Sequence, residues 1–189
     1  MPVLDANALY PDWVRSQVDW ERRYSTLDER MQVAIALARE NVERNTGGPF
    51  GAAVFEAESG RLISVGMNRV VPLKNSVLHA EMVAFMTAQA RVGSHSLGSD
   101  TLAAHELVSS CDPCAMCLGA ILWSGVMRVV TGAHREDATL LNFDEGPVFP
   151  QSYRYIEERG VEIVRGVLRA EAKAVLKMYR DRGGLIYNG

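Results

Sequence analysis

Apolar residues fall into a helical rhythm after Thr26, where Met31, Ala34, Ile35, Ala38 and Val42 share one face. Thr26-Leu27-Asp28-Glu29 ahead of them has the form of a capping box, and Gly47-Gly48-Pro49 ends the run. The pattern then changes. Phe50 to Glu56 and Arg61 to Asn68 read as two strands joined by a turn at Ser59-Gly60. A second helix starts near His79 and carries Met82, Val83, Phe85 and Met86, and a loop follows from Gly93 to Ser99. Leu102 to Ser109 reads as a third strand, Cys114 to Trp123 as a third helix, and Met127 to Ala133 as a buried strand. A helix over Tyr153 to Arg159 and a strand over Val161 to Val164 come next. The last helix runs from Arg169 to Arg182 and stops at Gly183-Gly184. This order predicts an α/β fold whose mixed sheet has about five strands with helices on its faces and parallel connections late in the chain. The order of strands in the sheet does not follow from it.

At 189 residues the chain is long enough for one domain with a continuous core. A formal charge of −3 gives no overall electrostatic case for nucleic acid. Arg169, Lys173, Lys177 and Arg180 do form a basic stripe on the last helix, beside the apolar face of Leu168, Ala172, Val175, Leu176 and Tyr179. Such a stripe is more often a solvated face than an RNA contact. Asp5, Asp12, Asp19 and Glu21 interrupt the segment Met1 to Tyr24, which therefore cannot serve as a secretory apolar core. No stretch approaches the roughly 18 apolar residues of a membrane span. The only cysteines, Cys111, Cys114 and Cys117, lie together, which favours metal chemistry in a reducing, cytoplasmic setting over disulfides.

Two motifs carry the chemistry. His79-Ala80-Glu81 and Pro113-Cys114-Ala115-Met116-Cys117 supply one imidazole, two thiolates and a spare carboxylate. Cys114 and Cys117 are three residues apart and share a helix face, so both can grip one ion. Pro113 suits a helix start, where amide donors and the helix dipole favour thiolates. His79, Cys114 and Cys117 make three ligands for one zinc ion per chain and leave a position open, as in catalytic rather than structural sites. Glu81 is two residues from His79, off its face, and is expected to move protons rather than bind metal. The plainer alternative is a structural Cys–Cys–His site with Glu81 as a surface acid, in a non-catalytic module that binds a protein partner. Cys111 is expected to be a small buried residue beside the site, and His95, His105 and His134 to be loop or surface residues.

These motifs resemble those of the cytidine and deoxycytidylate deaminase superfamily, whose zinc site activates water for attack on an amino-bearing ring carbon. Gly47-Gly48-Pro49-Phe50-Gly51-Ala52, Asn68, Ser110-Cys111-Asp112-Pro113-Cys114, Gly119-Ala120-Ile121-Leu122-Trp123 and Phe143-Asp144-Glu145 are similar to motifs of the bacterial guanine deaminases within it. The resemblance runs from about Leu27 to the C-terminus and implies a three-layer cytidine deaminase-like fold over 25–189, with 1–24 as an N-terminal extension. It also implies that Glu81 is catalytic, and that Phe50 and Trp123 help wall a base pocket in which Asn68 hydrogen-bonds the base. Glu145 becomes a second acid that contacts the base or moves protons, and Tyr187 an aromatic closing a partner subunit's pocket in a swapped homodimer. Without the resemblance, Phe50 and Trp123 read as core, Asn68 as a turn residue and Asp144-Glu145 as an acidic surface turn. The implied substrate is a free base, guanine going to xanthine and ammonia. Other substrates stay open: cytosine, a nucleoside, an amino-triazine or adenosine in tRNA.

Overall fold

The computed structural model of the protein describes residues 6–188. A short 3-10 turn (Ala6–Leu9) and α1 (Val14–Gln17) precede α2 (Leu27–Glu43), and a hairpin of β1 (Gly51–Glu56) and β2 (Leu62–Met67) follows. Next come α3 (Val70–Leu73), α4 (Ala80–Val92), β3 (His105–Cys111), α5 (Ala115–Ser124) and β4 (Arg128–Ala133). The chain ends with α6 (Arg135–Thr139), α7 (Pro150–Glu158), β5 (Glu162–Val164) and α8 (Arg169–Asp181). The sheet order is β2-β1-β3-β4-β5. β1 is antiparallel to both β2 and β3, whereas β3, β4 and β5 are parallel, as the late helix–strand units require.

Both faces of the sheet are covered. Ala53 and Phe55 point to one core, which they share with Met31, Val130 and Leu176 under α2 and α8. Ala52 and Val54 point to the other, with Phe85, Ile121 and Ile156 under α4, α5 and α7. This is the two-residue alternation of a strand buried on both sides. The capping box forms: Thr26 Oγ1 accepts from the Glu29 amide, and the Thr26 amide donates to Glu29 Oε2.

The third strand starts later than expected and runs on to Cys111. Ser109 and Ser110 look like a polar strand end, but both hydroxyls are satisfied inside the protein. Ser110 Oγ accepts from the Gly51 amide, and Ser109 Oγ donates to Glu81. The unforeseen helices α1, α3 and α6 are each too short to show a period. His105, expected on a loop or the surface, is buried, and its Nδ1–H donates to the Leu97 carbonyl. In the segment expected as an N-terminal extension, Leu9, Trp13, Val14 and Tyr24 are buried. Trp13 Nε1 donates to Thr46 Oγ1, and Leu9 packs with Leu78 and Val83 beside the start of α4. Residues 1–5 of that segment lie outside the described residues.

One buried charge holds the far end of β3. Glu106 is fully buried and paired with Arg30 and Arg128. Glu106→Ala strands the buried Arg30 without its counter-charge and is expected to cost about 3–5 kcal/mol. Arg22→Ala, which breaks the exposed Arg22–Glu29 pair, should move stability far less, because solvent screens that pair. Urea unfolding of the two variants measures the difference, and equal midpoints would contradict it.

Candidate active site

His79 and Cys114 occupy equivalent places, as the N-cap residues of α4 and α5. Gly66 lets α4 sit close on β2, since a Cβ there would lie 2.0 Å from the Ala80 carbonyl oxygen. The ligand atoms of His79, Cys114 and Cys117 all lie within 4.8 Å of one another. His79 presents Nδ1 to Cys114 Sγ at 3.5 Å. Hydrogen bonding from Cys117 and from His79 holds the Cys114 thiol down to about 4 despite its burial, so it is a thiolate at neutral pH. One imidazole nitrogen and two sulfurs at the positive ends of two helices form a donor set that fits zinc. Cys111 is buried but outside the trio, its thiol directed at the His134 carbonyl.

Glu81 lies in the first turn of α4 and is buried. Its Oε1 accepts from Ser109 Oγ at 3.1 Å, and its Oε2 lies 3.4 Å from Cys117 Sγ. Burial, and after it the Cys114 charge, raises its pKa. Glu145 is tied to the same helix end by its backbone, whose carbonyl accepts from the Ala115 amide at 2.9 Å. Burial, followed by the charges of Cys114 and Glu81, pushes its carboxyl up to about 8. A zinc ion beside them would work against both shifts.

The cavity in front of this cluster is lined by Phe50, Asn68, Phe143, Glu145 and Tyr187 together with Glu81 and the ligands His79 and Cys114. Asn68 is fixed from below. Its carbonyl accepts from Asn41 Nδ2 at 2.9 Å, and a Cβ on Gly47 would fall 1.9 Å from that oxygen, which accounts for glycine there. Its side-chain Nδ2 donates to the Tyr187 hydroxyl. The Phe50 and Phe143 rings meet edge to face at 5.0 Å between centroids. The tail is tied down by Asn188, which accepts from the Asp144 amide and donates to the Asn142 carbonyl. With the tail so placed, the free space inside is about 30 Å³, room for water but not for a ring.

Of the expected site residues, His79, Glu81, Cys114, Glu145, Phe50, Asn68 and Tyr187 line this one cavity, and Cys117 joins them at the metal trio. Trp123 does not. It is 83% exposed, because six residues from Cys117 carry it about 120° round α5, away from the metal-facing side. Tyr187 lies over the pocket of its own chain, where its hydroxyl accepts from Asn68 Nδ2. The basic stripe is partly spent within the chain, since Arg169 and Lys173 both pair with Asp137. Ser109, Asp112 and Phe143 were not foreseen as site residues. The signal for Ser109 was a polar residue inside an otherwise buried strand, which needs a partner.

Residues 24–133 match the family described as the cytidine and deoxycytidylate deaminase zinc-binding region. The guanine deaminase of Bacillus subtilis (strain 168) is 35% identical over 128 residues, 68% of this chain and 78% of that protein. A solved structure of guanine deaminase from Nitrosomonas europaea is 41% identical with a TM-score of 0.87, covering 91% of this chain and 94% of that one. A solved structure in complex with 2,6-diaminopurine is 42% identical with a TM-score of 0.89, covering 95% of this chain and 94% of that one.

Proposed function

This chain belongs to the cytidine and deoxycytidylate deaminase family, and from that premise we propose that it deaminates free guanine to xanthine with release of ammonia. The observation that carries the proposal is one pocket in which a zinc donor trio, a buried carboxylate and an aromatic wall meet the Asn68 amide. The choice of guanine is supported by the two guanine deaminases that the chain resembles over most of its length.

Held by His79, Cys114 and Cys117, zinc supplies the activation of water at neutral pH. Glu81 takes one proton from the attacking water and passes it to a ring nitrogen, while the water oxygen bonds to the amino-bearing carbon. The second water proton leaves with the amino group as the carbon–nitrogen bond breaks. Ammonia departs and a carbonyl remains. Glu145 faces the same cavity and either relays that second proton or holds the base. Asn68 hydrogen-bonds the base, exchanging the Tyr187 hydroxyl for it, and Phe50 with Phe143 stacks against the ring.

Ammonia release from a panel of guanine, guanosine, cytosine, cytidine, adenine and tRNA tests this reading. Guanine is expected to be the best substrate. Turnover of cytidine or tRNA without guanine would move the substrate elsewhere in the family, and zinc binding without any turnover would return the chain to a non-catalytic module.

We also propose a homodimer, supported by the exposed Trp123 on α5, Phe149 at the α7 cap and Tyr155 on α7. A monomeric mass in solution would overturn it. Among the described residues no helix is long and apolar enough to cross a membrane. The free cysteines support a cytoplasmic location, which cell fractionation checks.

A further inference from the structure

Asp112 is a carboxylate that the proposed chemistry does not use, yet it is buried and lines the pocket. Only Asp112 and Pro113 lie between the end of β3 at Cys111 and the ligand Cys114. All the acceptor capacity of that carboxylate is taken. Oδ1 accepts from Thr131 Oγ1 at 2.6 Å and from Arg165 Nε at 3.1 Å. Oδ2 accepts from the Arg135 amide at 3.1 Å and from Arg165 Nη2. The Asp112 amide in turn donates to the Ala133 carbonyl. The start of the metal-holding loop is therefore tied to β4, to the start of α6, and by a two-pronged bond to the residue just after β5. A planar guanidinium is the group suited to such a bond.

The outermost strand gains a purpose from this arrangement. β5 is three residues long and at the sheet edge, with Ile163 and Val164 partly buried at the rims of the two cores. It carries Arg165 to Asp112, 53 residues away in the chain. Tyr153 supports the guanidinium from one side, its ring centroid 5.1 Å from the Arg165 carbon. Arg165 also offsets the charge of Asp112 in a pocket that already holds Glu81, Glu145 and the Cys114 thiolate.

We propose that the Asp112–Arg165 pair is a positioning element for the metal, fixing the Asp112-Pro113-Cys114 segment so that Cys114 and Cys117 meet His79 at the spacing zinc needs. The proposal rests on the reading of those three residues as ligands but not on guanine as substrate. Arg165 touches neither the metal ligands nor the base and acts only through Asp112 and the loop.

The test compares Arg165→Ala with Arg169→Ala in the full-length, zinc-loaded protein. Arg169 also pairs with a buried aspartate, Asp137, but that pair joins α6 to α8 and leads to no ligand. Zinc transfer to a chromogenic chelator and the visible spectrum of the cobalt-substituted protein are the readouts, neither of which needs a substrate. Arg165→Ala is expected to release zinc roughly 10–100-fold faster and to alter the cobalt bands, while Arg169→Ala releases it at the wild-type rate. The Arg165 side chain is 38% exposed, so millimolar guanidinium should reach the vacated slot and slow the release again. Arg165→Lys, which retains one of the two prongs, should fall between, and it carries the comparison if the alanine variant does not fold. Unchanged release and spectrum in Arg165→Ala, or an equal change in Arg169→Ala, would show that the pair only adds stability. Loss of zinc binding from the wild-type chain itself would instead overturn the ligand reading.

Discussion

Glu81→Gln is expected to lower turnover by roughly 10²–10⁴-fold while zinc content stays at one ion per chain. Glutamine has nearly the shape of glutamate and can still accept from Ser109 Oγ, so the start of α4 and the cavity wall should not move. It cannot take a proton. The three proposed ligands are untouched, and Glu81 meets Cys117 Sγ through a hydrogen bond at 3.4 Å. KM should change little, because the expected base contacts are made by Asn68, Phe50 and Phe143. Glu145→Gln is expected to cost less, since an amide there keeps its bonding to the base and loses only the relay. Ammonia release and bound zinc, measured on one preparation of each variant, decide the matter. Loss of zinc from Glu81→Gln would make Glu81 a ligand, and a wild-type rate would remove it from the proton path.

The reactive part of the site was legible because its residues announce themselves within a few positions of one another. His79 with Glu81, and Cys114 with Cys117, lie at two helix starts, where a short motif carries both the ligand and its local geometry. The walls of the pocket were less legible. Phe143 joins Phe50 only because the loop after α6 folds back over the hairpin, a contact that no local spacing encodes. Trp123 illustrates the reverse: an aromatic in the right motif region, turned outward by its place on α5. Asp112 shows no role in its motif alone, since its partners Thr131, Arg135 and Arg165 come from elements far along the chain.

The fold followed the same division. Elements with a strong period, such as α2 with its capping box and the β1–β2 hairpin, lie within a residue or two of expectation. β3 shifted because its polar end is paid for by partners outside the strand, which propensity cannot register. The packing of residues 9–24 was missed for a related reason. Leu9, Trp13 and Val14 are separated by Pro11 and Asp12 and form too short a run to show a period, and their burial depends on surfaces near Leu78 and Thr46.

Stripping zinc with a chelator is expected to abolish turnover and to lower the melting temperature by roughly 8–16 °C without unfolding the protein at room temperature. The size follows from linkage: a ligand at a thousandfold excess over its Kd stabilises the folded state by about 4 kcal/mol. A chain of this length loses roughly 2–4 °C per kcal/mol. The fold should persist because both core layers are built from aliphatic and aromatic side chains that include neither Cys114 nor Cys117. The metal-free site also has internal partners, since His79 hydrogen-bonds Cys114 Sγ while Ser109 and Cys117 both donate to Glu81. Far-ultraviolet circular dichroism should therefore be retained, with activity and melting temperature restored on adding zinc back. Cys117→Ala, lacking one of three ligands, should behave as the stripped protein and gain nothing from added zinc. A stripped chain that unfolds outright at room temperature would point to a structural metal, because a catalytic ion sits on a scaffold that stands without it. Full turnover with the metal demonstrably gone would leave Glu81 to activate water alone. A carboxylate can take a proton from water but supplies no positive charge to stabilise the hydroxide, so the proposed chemistry would then fail.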